Sequence, residues 1–175
     1  MHRRDLLQIL GACSVLPFVP REAGAAIAFG RRLHKSVHTD GLEALSPDQA
    51  HLVATVADQI IPRTDTPGAS DVGVTEFIDH LLAHWYENEA RDHFMAGLAD
   101  IDRRAGGSFI ELSSERQVAF LTLLDGVKGA PGTAETAFAM LKSLTVYGYF
   151  TAELVVKEVT KEPIIPGRFD GCVRF

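Results

Sequence analysis

Apolar positions recur at helical spacing along most of this chain, and no stretch alternates apolar and polar residues as a half-buried strand would. In "SPDQAHLVATVADQIIP", Leu52, Val53, Val56 and Ile60 fall on one helical face. Ser46 stands ahead of them as N-cap, Pro47 takes the first helical position, and Gln49 completes a capping box. Pro62 stops this helix. "RTDTPGASDVG" reads as a loop, with Asp65 placed to accept backbone N–H groups two residues on and Pro67-Gly68 marking a turn. Phe77, Ile78, Leu81, Leu82 and Trp85 form the next stripe, which starts near Val74 and either runs on or breaks near Asn88. Phe94, Leu98 and Ile101 extend the pattern to about Arg104, where Gly106-Gly107 ends it. Another helix starts at Ser113 or Ser114, with Gln117 three after Ser114 as a second capping box and Val118, Leu121 and Leu124 as its apolar face. Beyond the flexible connection "GVKGAPGT", the last helical region covers about Ala134 to Thr160 and carries Phe138, Leu141, Leu144, Leu154 and Val155, with Gly148 as a point of bending. The expected fold is all-α: a single compact helical domain of four to six helices with an extended, non-helical C-terminal tail.

The two ends are read differently. Residues 1–25 have the form of an export signal: Arg3 and Arg4, then an apolar run from Leu6 to Val19 that is too short to span a bilayer, then the small-x-small site Ala23-Gly24-Ala25. Asp5-Leu6-Leu7 after the arginine pair fits a twin-arginine address, the route for cargo that crosses already folded. An ordinary secretory signal shares the charged start, and Leu10-Gly11-Ala12-Cys13 resembles a lipoprotein cleavage box behind a short apolar run. Residues 26–45 read as a linker, or an arm laid on a partner, and residues 46–160 as the helical domain. Residues 161–175, "KEPIIPGRFDGCVRF", are too apolar for a disordered tail and are expected to pack on a partner.

A net charge of -6 with no basic face argues against nucleic acid. The two cysteines, Cys13 and Cys172, cannot build a disulfide framework within the chain. Removal of the signal would leave Cys172 alone in an oxidising compartment, either bonded to another subunit or buried as an inert thiol. His80 and His84 stand four apart, at metal-ligand spacing, but no glutamate occupies the zincin position and Asp79 would point elsewhere. One pair supplies two of the usual three or four ligands, so no metal is expected. No haem-attachment motif, iron–sulfur ligand set, phosphate-binding loop or nucleophile elbow is present. Ser113 and Ser114 read as caps, and Asp58, Asp65, Asp71 and Asp79 as capping, turn-forming or solvated charges. The chain therefore has no expected catalytic, cofactor-binding or metal residue, and a folded-protein export signal would serve another protein.

Three stretches in order, "ADQIIPRTDTPGASDVGVTEFID", "LKSLTVYGYFTAELVVKEV" and "PIIPGRFDGC", resemble the gluconate 2-dehydrogenase subunit 3 family over roughly Gln49 to Cys172. The resemblance implies a non-catalytic small (gamma) subunit of a membrane-associated, FAD-dependent sugar or sugar-acid dehydrogenase of the glucose or gluconate type. Its FAD would sit in a flavoprotein partner of the glucose–methanol–choline oxidoreductase group, with a multihaem cytochrome c subunit completing many such complexes. The small subunit would assist folding and twin-arginine export of the flavoprotein, reside in the periplasm, and meet the inner membrane only through the complex. Ala152 stands where that pattern leads one to expect serine. Candidate interface residues are Trp85, Tyr86, Tyr147, Tyr149 and Phe150, with Ile164, Ile165, Phe169 and Cys172 in the tail; aromatics anchor interfaces and fill cores alike. Two rival readings stay open: a stand-alone periplasmic metal-dependent enzyme built on His80 and His84, and an unrelated binding module.

Overall fold

The computed structural model describes residues 20–36 and 41–160. Among them are six α-helices: α1 (Pro20–Ser36), α2 (Pro47–Ile60), α3 (Val74–His84), α4 (Asn88–Arg104), α5 (Ser114–Leu124) and α6 (Ala134–Thr151). A 3-10 turn, Ser70–Val72, leads into α3, and a π-helix, Val155–Thr160, follows α6. No strand occurs among the described residues, so the all-α class holds. No helix among them is long and apolar enough to cross a membrane.

α6 is the axis of the domain, and α1 to α5 all pack against it. Its core side chains Leu141 and Leu144 are fully buried with Val53 and Val56 of α2, Phe77 and Ile78 of α3, and Leu98 and Ile101 of α4. Two helices reach α6 through glycine. A Cβ at Gly97 of α4 would lie inside van der Waals contact with Ala137 Cβ and 2.7 Å from the Thr133 carbonyl oxygen. A Cβ at Gly30 of α1 would lie 2.7 Å from Thr151 Cβ. Gly148, expected from sequence as a point of bending, lies inside α6 and packs closely against the Phe77 ring; the break comes later, at Ala152, which turns to extended backbone (φ -64, ψ 135).

The Ser46–Gln49 capping box forms in full, with Gln49 N–H donating to Ser46 Oγ (3.2 Å) and Ser46 N–H to Gln49 Oε1 (2.9 Å). The second expected box does not. The N-cap of α5 is Ser113, which puts Gln117 a position too far into the helix. Gln117 is buried instead: it donates to the Phe109 carbonyl (3.2 Å) and accepts from Gln59 of α2 (2.7 Å), stitching the α4–α5 loop to α2. The stripe over 74–104 breaks at Trp85–Glu87, where the Trp85 ring turns edge-on to Phe29 of α1 (5.4 Å, 88°).

Of the segment read as a linker or arm, 26–45, the part as far as Ser36 belongs to the helix α1, which lies on α6 of its own chain. α1 begins at Pro20, so the small-x-small site at Ala23–Ala25 falls on it. Phe29 and Leu33 of α1 are buried, and His34 sends Nε2 to the Gly148 carbonyl (2.7 Å) while its ring stacks on Phe77 (4.4 Å, 20°). Burial pushes the His34 pKa below its ordinary value, and the Gly148 bond raises it by less. The depressed value means that the unfolded chain binds this proton more tightly. The contribution of His34 to stability is therefore complete above about pH 6.5 and is lost as pH falls through the folded-state pKa. Melting temperatures measured between pH 7.5 and 5 should fall more steeply for the wild type than for His34→Gln. Parallel slopes would show that this docking carries no proton linkage.

Candidate functional site

The loop 63–73 is held from three sides. Asp58 of α2 accepts both the N–H (2.9 Å) and the hydroxyl (2.8 Å) of Ser70. Asp71 accepts from Gly68 N–H (2.8 Å) and Arg63 (3.2 Å), and Tyr149 of α6 donates its hydroxyl to the Pro67 carbonyl (2.8 Å). Gly68 is required by close approach, since a Cβ there would stand 2.9 Å from the Arg63 backbone nitrogen. Asp65 takes the Thr64 hydroxyl (2.9 Å); the residue two on is Pro67, which has no backbone N–H to donate. The Pro67 and Tyr149 of two separate sequence motifs are thus in direct contact.

This architecture sorts the aromatic interface candidates. Tyr147 and Tyr149 are buried, 8% and 4% exposed, with Tyr147 against Phe77 (5.9 Å). Trp85 and Tyr86 are half-buried, and burial pushes the Tyr86 pKa up to about 12. Phe150 is 50% exposed, edge-on to Tyr149 (5.4 Å). Val146 (41%) lies one turn before it on α6, and Leu154 (38%) is exposed beyond the extended backbone at Ala152. Beside Leu154 a groove of about 460 Å³ opens between α1 and the α6–π junction, lined by Arg31, His34, Val72, Ala152 and Glu153 among others. The Nε of Arg31 is buried there with no hydrogen-bond acceptor among the described residues. Arg3, Arg4, Ile164, Ile165, Phe169 and Cys172 lie outside the described residues.

A second cluster forms at α3. His80 and His84 do share one face, with ring centroids 4.5 Å apart. The fold brings a third group to them. The Glu43 carboxylate lies 3.2 Å from His80 Nδ1 through Oε1 and 2.6 Å from His84 Nε2 through Oε2. The donor atoms of all three residues fall within 4.8 Å of one another. Hydrogen bonds from His80 and then His84 hold the Glu43 carboxyl below the usual carboxylate range. Asp79 does point elsewhere: buried at 3% exposure, it accepts the N–H groups of Glu43 (2.7 Å), Ala44 (2.9 Å) and Leu45 (2.7 Å). No local pattern could have found Glu43, which joins the histidines only because Asp79 fastens its backbone to α3.

Among characterised proteins and among solved structures, none matches the chain. A sequence model of one family, described as Gluconate 2-dehydrogenase subunit 3, matches residues 47–167, which includes the whole of α2 to α6, the π-helix, the Pro67–Tyr149 contact and the His80–His84 pair. That match spans well over half of the 175 residues, and the chain belongs to the gluconate 2-dehydrogenase subunit 3 family.

Proposed function

We propose that this chain is the small accessory subunit of an FAD-dependent dehydrogenase complex that oxidises a sugar or sugar acid of the glucose or gluconate type. The observation that carries the reading is the family match over 47–167. In this reading the chain binds its flavoprotein in the cytoplasm, covers apolar surface on it, and favours its folded form by mass action. The Arg3-Arg4 signal then takes both chains to the periplasm, where the complex meets the inner membrane. FAD stays with the flavoprotein, and Cys172, the cysteine left once a signal carrying Cys13 is removed, bonds covalently to that partner. The exposed Val146 and Phe150, one turn apart on α6, support a docking role for the end of that helix, because they offer an aromatic anchor with an aliphatic neighbour.

The test is co-expression with the neighbouring genes, among which a flavoprotein gene is expected, followed by recovery of the periplasm and a non-reducing gel. The expected result is a flavin-containing band near the combined mass that collapses on reduction, and a flavoprotein left in the cytoplasm when Arg3 and Arg4 become lysine. A flavoprotein that reaches the periplasm in full yield without this chain would overturn the reading. Phe150→Asp should cut co-purification at least about tenfold, the loss of one interface anchor. The isolated subunit should melt within about 2 °C of wild type, since exposed substitutions change stability little.

A further inference from the structure

We propose that Glu43, His80 and His84 form a three-ligand site for one divalent transition-metal ion of the zinc class, which locks the 41–45 segment onto α3. Two imidazole nitrogens and a carboxylate oxygen are the donor set that suits zinc, nickel or copper rather than calcium or magnesium. The spacing also suits it. Ligands bound at about 2.0–2.1 Å around a tetrahedral ion stand about 3.3 Å from one another. Here the carboxylate oxygens already lie 3.2 Å and 2.6 Å from the two ring nitrogens, and the whole donor set fits within 4.8 Å. Side-chain adjustments of about an ångström would close it around an ion.

The ligands stand on supported backbone. The histidines stand four apart on the ordered helix α3, and the His80 side chain is only 11% exposed. The Glu43 backbone is held by its own N–H bond to Asp79 and by those of Ala44 and Leu45 after it, and this buried carboxylate is the sequence neighbour of the ligand His80 itself. Such outer groups are what keep metal ligands aimed at a common point. The other side is open: the His84 and Glu43 side chains are 51% and 34% exposed, which leaves an entry path and room for water in the remaining coordination positions. On binding, the proton that each ring presents to Glu43 moves to its other nitrogen or leaves to solvent, so that a lone pair faces the ion. The ion would tie together residues 37 and 41 positions apart in the chain, a clamp rather than a catalyst. The inference needs no partner chain and stands independently of the proposed export role.

The experiment uses the tag-free chain, stripped with chelator and titrated with Zn²⁺ and with Co²⁺. The wild type should bind one equivalent of Zn²⁺, and Co²⁺ should give the intense visible bands of a low-coordinate nitrogen–oxygen site. At a hundredfold excess over the dissociation constant, Zn²⁺ should raise the melting temperature by about 5–10 °C. His84→Ala and Glu43→Ala change exposed side chains and should fold, yet lose the stoichiometric binding, the cobalt bands and the thermal shift. Asp79→Asn should weaken binding about 10–100-fold through misplacement of Glu43. His51→Ala, exposed on α2 and outside the cluster, should behave as wild type. Equal Zn²⁺ binding by wild type and His84→Ala would overturn the site by placing the ion on other histidines. No stoichiometric binding by wild type at micromolar metal would overturn it outright and leave the cluster as a carboxylate bridged by two imidazoles.

Discussion

Asp79→Ala is expected to destabilise the protein by about 3 kcal/mol, a fall of about 6–12 °C in melting temperature for a domain of this size. The carboxylate is 3% exposed and accepts three consecutive backbone N–H groups, from Glu43, Ala44 and Leu45. Each bond to a charged acceptor contributes more than a neutral one, and alanine would leave the Leu45 donor stranded beside a buried side chain. Glu43 and Ala44 are less enclosed, and water can reach their N–H groups, which keeps the loss near 3 kcal/mol rather than at the sum of three bonds. Asp79→Asn separates charge from geometry. Oδ1 serves two donors and Oδ2 one, so an asparagine oxygen can keep Ala44 and Leu45 while its amide group meets the Glu43 N–H donor to donor. That variant should lose about 1–2 kcal/mol. Urea unfolding of the three proteins checks the series. An alanine variant within about 0.5 kcal/mol of wild type would show that the segment 41–45 is not held by this carboxylate.

What the sequence made legible was local and periodic. The stripe of Leu52, Val53 and Val56 located α2, and the Ser46–Gln49 box fixed its start to the residue, because a capping box is a contact between neighbours in the chain. The stripes at Phe77–Leu82 and Phe94–Ile101 located α3 and α4 for the same reason. α1 was missed because Gly24 and Gly30 interrupt it and its buried face is narrow, with Phe29 and Leu33 the apolar core residues among its described side chains. Gly30, inside the stretch read as a linker or arm, is a contact: it lets α1 reach Thr151. Gln117 looked like a cap and is a buried crosslink to α2 and to Phe109. Tyr147 and Tyr149 could not be told from surface aromatics by spacing, since α6 is surrounded by helices and is apolar on most sides. Glu43 was invisible for a deeper reason. Its approach to His80 and His84 depends on a hydrogen bond to Asp79 across 36 residues, and no window of sequence contains that information.

Gly97→Val is expected to cost about 3 kcal/mol or more. The reason lies in how α4 meets the start of α6. Gly97 and Asp100 share one face of α4, three residues apart. Asp100 accepts the Ala134 N–H (2.9 Å), filling the capping role that Thr133 leaves open because its own hydroxyl donates to the Ala130 carbonyl (2.9 Å). A carboxylate at this position also faces the positive end of the α6 dipole. The bond requires the two helix backbones to lie close, and Gly97 is what allows it: any Cβ there meets Ala137 Cβ and stands 2.7 Å from the Thr133 carbonyl oxygen. Ala at 97 gains up to about 1 kcal/mol of helix propensity over glycine and should nonetheless destabilise by about 1–2 kcal/mol, because neither neighbour is the tip of a flexible side chain. The double variant Gly97→Ala with Ala137→Gly removes one of the two clashes and leaves the Thr133 carbonyl in place. It should therefore recover less than it would if the methyl alone were at fault, and a double-mutant cycle on unfolding free energies reads that difference. Stability unchanged in Gly97→Ala would mean that α4 slides along α6 without loss, and the Asp100–Ala134 bond would then not depend on this crossing.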